Sequence, residues 1–305
     1  MTAELAFITD ALVRATPLII AGLAVALAFR GGVFNIGAEG QLLVGATASA
    51  AVTLVTGETL GGFSVVVALL AGMIAGAFWA GIAAGLKARF HVLEIISTIM
   101  LNFVAIHLVS YLVRGPLQEP TRIYPQTETI PAMSRLPIVL PGTRLHLGFI
   151  IAAAAACVLA WFLAQTAPGF RIRAVGASFR AAWSVGLINT GKTSMWVFLA
   201  SGALAGLAGS VEVSGVTFAL YENLSPGYGY TAIAVALIAG LNPVGVIASG
   251  VFFGFLETGA IALQREFAIP ASLASVAEAV LILAALSIAV TRGHGLPGTR
   301  RAPVQ

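Results

Sequence analysis

Charge is scarce in this sequence. Asp, Glu, Lys and Arg make up 9% of its 305 residues, against about 25% in an average soluble domain. With 16 basic and 12 acidic side chains facing a composition that is 59% hydrophobic, the pair of soluble domains that the length suggests is excluded. Cysteine is nearly absent. Cys157 stands alone in the run AAAAACVLAWF, which rules out an intrachain disulfide and a cysteine metal cluster and reads as a buried, inert thiol. The N-terminal MTAELAFITDALVRATPL lacks the basic n-region and small-residue cleavage site of a secretory signal, so the first span is expected to be retained. The alternating pattern of a membrane β-barrel is missing. No hydrolytic triad, zinc spacing or dinucleotide fingerprint is present, and nothing supports an enzyme.

What is there is apolar length. Mean hydropathy is +0.98, and several stretches run about 20 residues with almost no charge, enough to cross a hydrocarbon core about 30 Å thick. The fold class is all-α: a polytopic transmembrane bundle of eight or nine spans, read as one domain over 1–305. Spans are expected at 5–29, 40–56, 62–86, 92–113, 147–164, 195–213, 229–241, 244–264 and 272–290, the seventh short and turned by Asn242-Pro243. Residues 114–146 hold six of the thirteen prolines and read as a long irregular loop. Residues 165–194 form a second polar connection. Small-residue repeats at Gly72/Gly76, Gly81/Gly85, Gly202/Gly206 and Gly250/Gly254 permit close helix contact in lipid.

The net charge of +4 does not point to nucleic acid, because the basic residues gather at span ends. Placing the 165–194 loop and the C-terminus in the cytoplasm puts ten basic residues inside, including Arg30, Lys87, Arg89 and Lys192, and six outside. Nine spans then leave the N-terminus outside. Should 31–40 be a break within one embedded helix, there are eight spans and the N-terminus moves inside.

FRGGVFNIGAEGQLLVGA, residues 29–46, concentrates Gly31, Gly32, Gly37 and Gly40. Each glycine costs a helix about 1 kcal/mol relative to alanine, so irregular backbone is expected, tolerated only against protein or a watery cavity. Asn35 and Glu39 would share a face were the segment helical, with Gln41 nearby. The two readings are a solvated turn and a broken helix beside a substrate path. A similar arrangement recurs where Ala234-Val235-Ala236-Leu237 leads into Gly240-Leu241-Asn242-Pro243, matching Ala24-Val25-Ala26-Leu27 before the first break. Among the remaining polar residues within spans, Asn102 is a substrate-path candidate and His107 a packed histidine. Glu257, a further path candidate, and Glu278 read either as interhelical hydrogen-bond partners or as groups for substrate-path hydrogen bonding or proton relay.

Gly186-Leu187-Ile188-Asn189-Thr190-Gly191-Lys192-Thr193 matches the phosphate-binding pattern G-x-x-x-x-G-K-[ST]. A transmembrane run follows it, and the chain has one aspartate, Asp10, far from the motif. Neither suits a nucleotide site with its Mg²⁺ ligand.

AFRGGVFNIGAEGQLLVGA closely resembles the signature of the permease subunits of bacterial ABC importers for nucleosides and simple sugars, most like one permease of guanosine-type systems. The resemblance continues in LVSYLVRGPLQEP, in the stretch 170–213 and in YENLSPGYGYTAIAVAL. Such permeases usually carry another hydrophobic span before TPLIIAGLAVAL, and Ser178 stands where the family usually shows a residue such as Asn. The resemblance implies a multi-pass protein of the bacterial inner membrane that pairs with a second permease, ABC ATPase subunits and an extracytoplasmic binding protein. It implies no cofactor on this chain, ATP and Mg²⁺ belonging to the ATPase subunits. It also makes 165–194 a cytoplasmic coupling loop, with Ala181, Ala182 and Gly186 for close approach and Arg171, Arg173 and Arg180 for acidic surfaces. The alternative is an ion-coupled secondary transporter using Glu257 and Glu278.

Overall fold

The computed structural model describes residues 3–184, 186, 188–267 and the single positions 276, 279, 280, 283 and 284. The expected last span, with Glu278 and the C-terminal arginines, lies almost wholly outside them.

Among the described residues, seven helices are long and apolar enough to cross a membrane. They are α1 (Ala3–Arg30), α2 (Ala38–Leu60), α3 (Phe63–Phe90), α4 (Glu94–Arg114), α5 (Gly148–Gln165), α8 (Thr190–Glu212) and α10 (Pro243–Phe267). Two shorter helices, α6 (Ala167–Ala177) and α7 (Phe179–Ser184), occupy the 165–194 connection. The expected short span is α9 (Tyr228–Ile238), 11 residues and so about 16 Å long. That reaches only about halfway through a bilayer core, so the described residues hold seven full-length spans and one half-length helix, the expected last span lying outside them.

α1 is the central element. Of its most apolar stretch 83% is buried within the chain, against 28% for α3, α4 and α5. Small residues set the packing around it. A side chain at Gly72 would run into Ser210 and the carbonyls of Gly45 and Gly206, and one at Gly76 into Gly202. The backbones of α2, α3 and α8 therefore lie almost in contact, which maximises dispersion where lipid offers no hydrophobic drive. Gly250 and Gly254 do the same against Ile19 and Ala11 of α1. Gly85 faces open space, so the expected Gly81/Gly85 repeat makes no such seam.

Two sequence expectations fail for a common reason. Cys157 is exposed rather than buried, because α5 packs through Ala152, Ala156, Leu159 and Leu163 and Cys157 points off that stripe. His107 is exposed as well, outside the buried stripe of α4 formed by Thr98, Asn102, Ala105, Val109 and Val113.

One end of the bundle gathers the C-terminus of α1, helices α6 and α7, and the α9–α10 turn. Gly176 of α6 sits directly against the Arg30 carbonyl, and Lys87 pairs with Glu94 at 2.9 Å across the α3–α4 turn. The opposite end carries the 115–147 loop. The loop is ordered by its contacts: Thr127 N–H donates to Leu220 O and Ile130 N–H to Phe218 O, both at 2.8 Å, and Ser64 meets Ser134 at 2.6 Å.

Candidate translocation site

Between α1 and α2 the chain turns at the α6 end and runs back into the bundle. Gly32 makes the turn at φ +72°, where a Cβ would also press on Gly176 at 3.2 Å. Residues 33–36 are not helical, so their backbone groups need partners, and polar side chains supply them. Asn35 donates to Ser201 at 2.9 Å and to Gln41 at 3.0 Å, and its Oδ1 accepts from Gln41 and from Gly37 N–H. Asn102 accepts from Gly40 N–H at 2.9 Å and donates to Ile36 O at 3.0 Å. Ser201 lies about 16 Å along α8 and donates to Ala24 O at 2.8 Å. The segment therefore re-enters the bundle, and α2 starts at depth.

Of the two readings of this block, the solvated turn does not survive: Asn35, Gln41 and Asn102 are at most 1% exposed. Their partners show them bracing the re-entrant backbone. Asn35 and Glu39 do not share a face, because Asn35 precedes the first turn of α2.

Glu39, 3% exposed, points the other way. Its Oε2 accepts from Gly229 N–H at 2.7 Å, and the Ser225 hydroxyl is a further partner. Ser225 Oγ in turn accepts from Gly227 and Tyr228 N–H at 3.1 and 3.0 Å. One carboxylate thus faces two helix N-termini, its own on α2 and that of the half-helix α9, each the positive end of a dipole. Gly229 is required here, since a Cβ would overlap the Glu39 backbone. Discontinuous helices whose N-termini meet inside the bundle are the architecture of transport sites.

On the far side of the same turn lies a cavity of about 430 Å³, lined by residues that include Asp10, Arg14, Arg144, Glu212, Tyr221 and Tyr228. Sequence reading singled out none of these as site residues. The one available signal was Glu212 interrupting the apolar run ALAGLAGSVEVSGV. Glu257 of α10 approaches Arg14 of α1 at 4.0 Å, so this in-span carboxylate stands beside a cation; Glu278 lies outside the described residues.

At the α6 end, Thr166 caps α6 by accepting from Gly169 N–H at 3.1 Å. Asn189 caps α8 by accepting from Lys192 N–H at 2.9 Å. The phosphate-loop pattern therefore follows helix α7, not the strand such a loop needs, and its asparagine serves as a helix cap. Arg171, Arg180, Ala181 and Gly186 are exposed, whereas Arg173 is half-buried. Ala182 is 7% exposed and faces the chain's own interior, while Phe179 (55%) and Trp183 (70%) stand out from α7.

These features define a class: a multi-pass helical permease with re-entrant and half-length helices at its centre and an exposed helical connection at one end. The model of the branched-chain amino acid transport system / permease component family matches residues 7–288, and the chain belongs to that family. It is a transport subunit rather than an enzyme. Among its relatives, the glucose ABC transporter permease protein TsgB13 of Haloferax volcanii is 39% identical over 287 residues, 90% of this chain and 75% of its own. The guanosine ABC transporter permease protein NupP of Bacillus subtilis is 37% identical over 287 residues, covering 92% and 81%. A second guanosine permease of that organism, NupQ, is 31% identical over 253 residues, covering 81% and 79%. No solved structure matches the chain. Family membership displaces the ion-coupled secondary transporter as a reading of Glu257.

Proposed function

We propose that the chain is one of two permeases in an ATP-driven importer for purine nucleosides, or for a related nucleobase or simple sugar. The second permease is a homologue, two ABC ATPase subunits sit at the α6 end, and an extracytoplasmic binding protein delivers the solute to the 115–147 end. ATP and Mg²⁺ act on the ATPase subunits. The protein resides in the bacterial inner membrane with the α6–α7 connection and the C-terminus in the cytoplasm.

The observation that carries this reading is the short helix α7, which presents Phe179, Arg180 and Trp183 outward from the connection between two spans. Large aromatic and arginine side chains exposed together are the anchors of a protein interface, and α6 contacts the turn at Gly32 directly. Force applied at α7 therefore reaches the re-entrant segment through backbone contact. The resemblance to two permeases that share one organism and one named solute supports a heterodimer and a nucleoside; the glucose relative keeps sugars within the class.

Two measurements test it. Single cysteines at Pro125 and Ser178, in a Cys157→Ala background, are exposed to a membrane-impermeant thiol reagent in cells with a permeabilised outer layer. Position 125 should label and 178 should not; equal labelling contradicts the assigned sidedness. The tagged chain, purified in mild detergent from its native membranes, should bring with it an ABC ATPase and a second permease of the same family. Recovery of the chain without either contradicts the importer assembly.

A further inference from the structure

The cavity beyond the Ser225–Tyr228 turn contains a feature that helix packing does not explain. Glu212 is 3% exposed, lines the cavity, and its Oε2 has no hydrogen-bond partner. A buried carboxylate oxygen without a donor is unfavourable unless something else supplies one. A cavity of about 430 Å³ is far larger than a single ion or water needs and lies in the range of small-molecule sites. Its ionisable lining is of both kinds, Asp10 and Glu212 beside Arg14 and Arg144, and so offers hydrogen-bond donors and acceptors together. Tyr221 and Tyr228 add aromatic walls beside Val13, Val216 and Leu224, surfaces that suit the flat face of a ring.

We infer that this cavity binds a neutral, ring-shaped polyhydroxyl solute, with the Glu212 carboxylate accepting hydrogen bonds from vicinal hydroxyls. The placement gives occupancy a mechanical consequence. The cavity wall at Tyr221 belongs to the segment whose backbone is bonded to Thr127 and Ile130 of the long loop. Its floor is the turn that holds Glu39 on the opposite side. A solute in the cavity therefore touches the element that closes the re-entrant segment beneath it.

The test uses the assembled importer carrying Cys157→Ala and Asn223→Cys. Asn223 stands on the cavity wall, so the rate of its reaction with a thiol reagent reads occupancy. The probes are guanosine and D-glucose, each compared with 2′-deoxyguanosine or 2-deoxy-D-glucose, which lack one hydroxyl of a vicinal pair. The imported parent should slow labelling several-fold, and its deoxy analogue should need about tenfold more solute for the same protection, the loss of one buried hydrogen bond. Glu212→Gln exchanges one acceptor oxygen for a donor amide, and the two curves should then coincide. A merely structural role for Glu212 would weaken protection by both solutes and leave their ratio intact. The deoxy comparison in the unsubstituted cavity stands even where the Glu212 variant fails to insert. Labelling indifferent to solute, an unchanged ratio in Glu212→Gln, or protection reproduced by sodium chloride alone each overturns the inference. It rests on the import reading, and the same preparation separates the two. ATP-driven uptake of none of the four solutes contradicts that reading, whereas uptake without protection contradicts the cavity assignment alone.

Discussion

Glu39 and Gly229, 190 residues apart in sequence, are joined by a 2.7 Å hydrogen bond from the Gly229 N–H to the Glu39 carboxylate. It ties the start of α2 to the start of the half-helix α9 inside the bundle. A shift of one helix along the other would break it.

The first expected outcome concerns that bond. Glu39→Gln keeps an acceptor oxygen but removes the charge that two helix N-termini favour, and should cost about 1 kcal/mol of stability. Glu39→Ala leaves the Gly229 N–H buried and unpaired, and should cost about 2–3 kcal/mol. Thermal unfolding in detergent ranks the two. Equal melting temperatures for both variants and the parent would show that the bond holds nothing.

The re-entrant segment gives the second. Leucine at Gly32 meets a left-handed backbone and Gly176, and leucine at Gly37 meets Gln41 Nε2 at 2.9 Å and Asn35 Oδ1 at 3.0 Å. Strain of this kind costs about 1–3 kcal/mol per site. Both variants should insert normally and lose most uptake. Normal transport by either would make 31–37 a passive connection.

The third separates docking from nucleotide binding. Trp183→Ala and Phe179→Ala remove exposed anchors from α7, so uptake and solute-stimulated ATP hydrolysis should fall together in the full complex. Lys192→Ala should be mild, because Lys192 contributes its backbone N–H to the Asn189 cap. ATP binding to the isolated chain, abolished by Lys192→Ala, would instead make the motif a phosphate site. Ala182→Arg is a poor docking probe, since Ala182 already packs inside the chain.

His146 sets a pH dependence. It is 1% exposed, its Nδ1 accepts from Gly148 N–H at 3.1 Å, and burial, with Arg144 nearby, pushes its pKa down to about 4. The unfolded chain, with a histidine near 6.5, takes up a proton that the folded chain refuses. Stability is then whole above about pH 6.5 and declines toward pH 4, at up to about 1.4 kcal/mol per unit. Glu222 does not obscure this window: its bonds to Arg114 and Ser110 hold its pKa down at about 2, so its contribution is complete above the ordinary carboxylate range and lost only toward pH 2. His146→Gln should flatten the melting temperature between pH 6.5 and 4.5. An unchanged slope would remove His146 as its cause.

Much of this architecture was legible in the sequence, for physical reasons that also mark where legibility ends. The expected edges of the first eight spans fall within a few residues of α1–α5 and α8–α10, because water-free backbone demands long apolar helices. The break at 31–37 was readable from four glycines in ten residues. Burial was not. Lipid-facing positions are as apolar as packed ones, so nothing in the sequence tells Cys157 on the outer face of α5 from Ala156 beneath it. Asn35, Gln41 and Asn102 were visible as polar residues in apolar runs, but their bonds to the re-entrant backbone depend on a chain reversal that periodicity cannot show. Glu212 escaped notice because it falls at the expected end of a span, where a carboxylate is ordinary. Only the approach of α1 and the 218–228 segment encloses it.

The most direct measurement is uptake into proteoliposomes that hold this chain with its second permease and ATPase subunits, with the binding protein supplied outside. Radiolabelled guanosine and D-glucose are followed with and without ATP inside, and with and without a protonophore. Uptake of at least one solute should require both ATP and the binding protein and should survive collapse of the proton gradient. Uptake that persists without ATP and disappears with the gradient would contradict an ATP-driven importer.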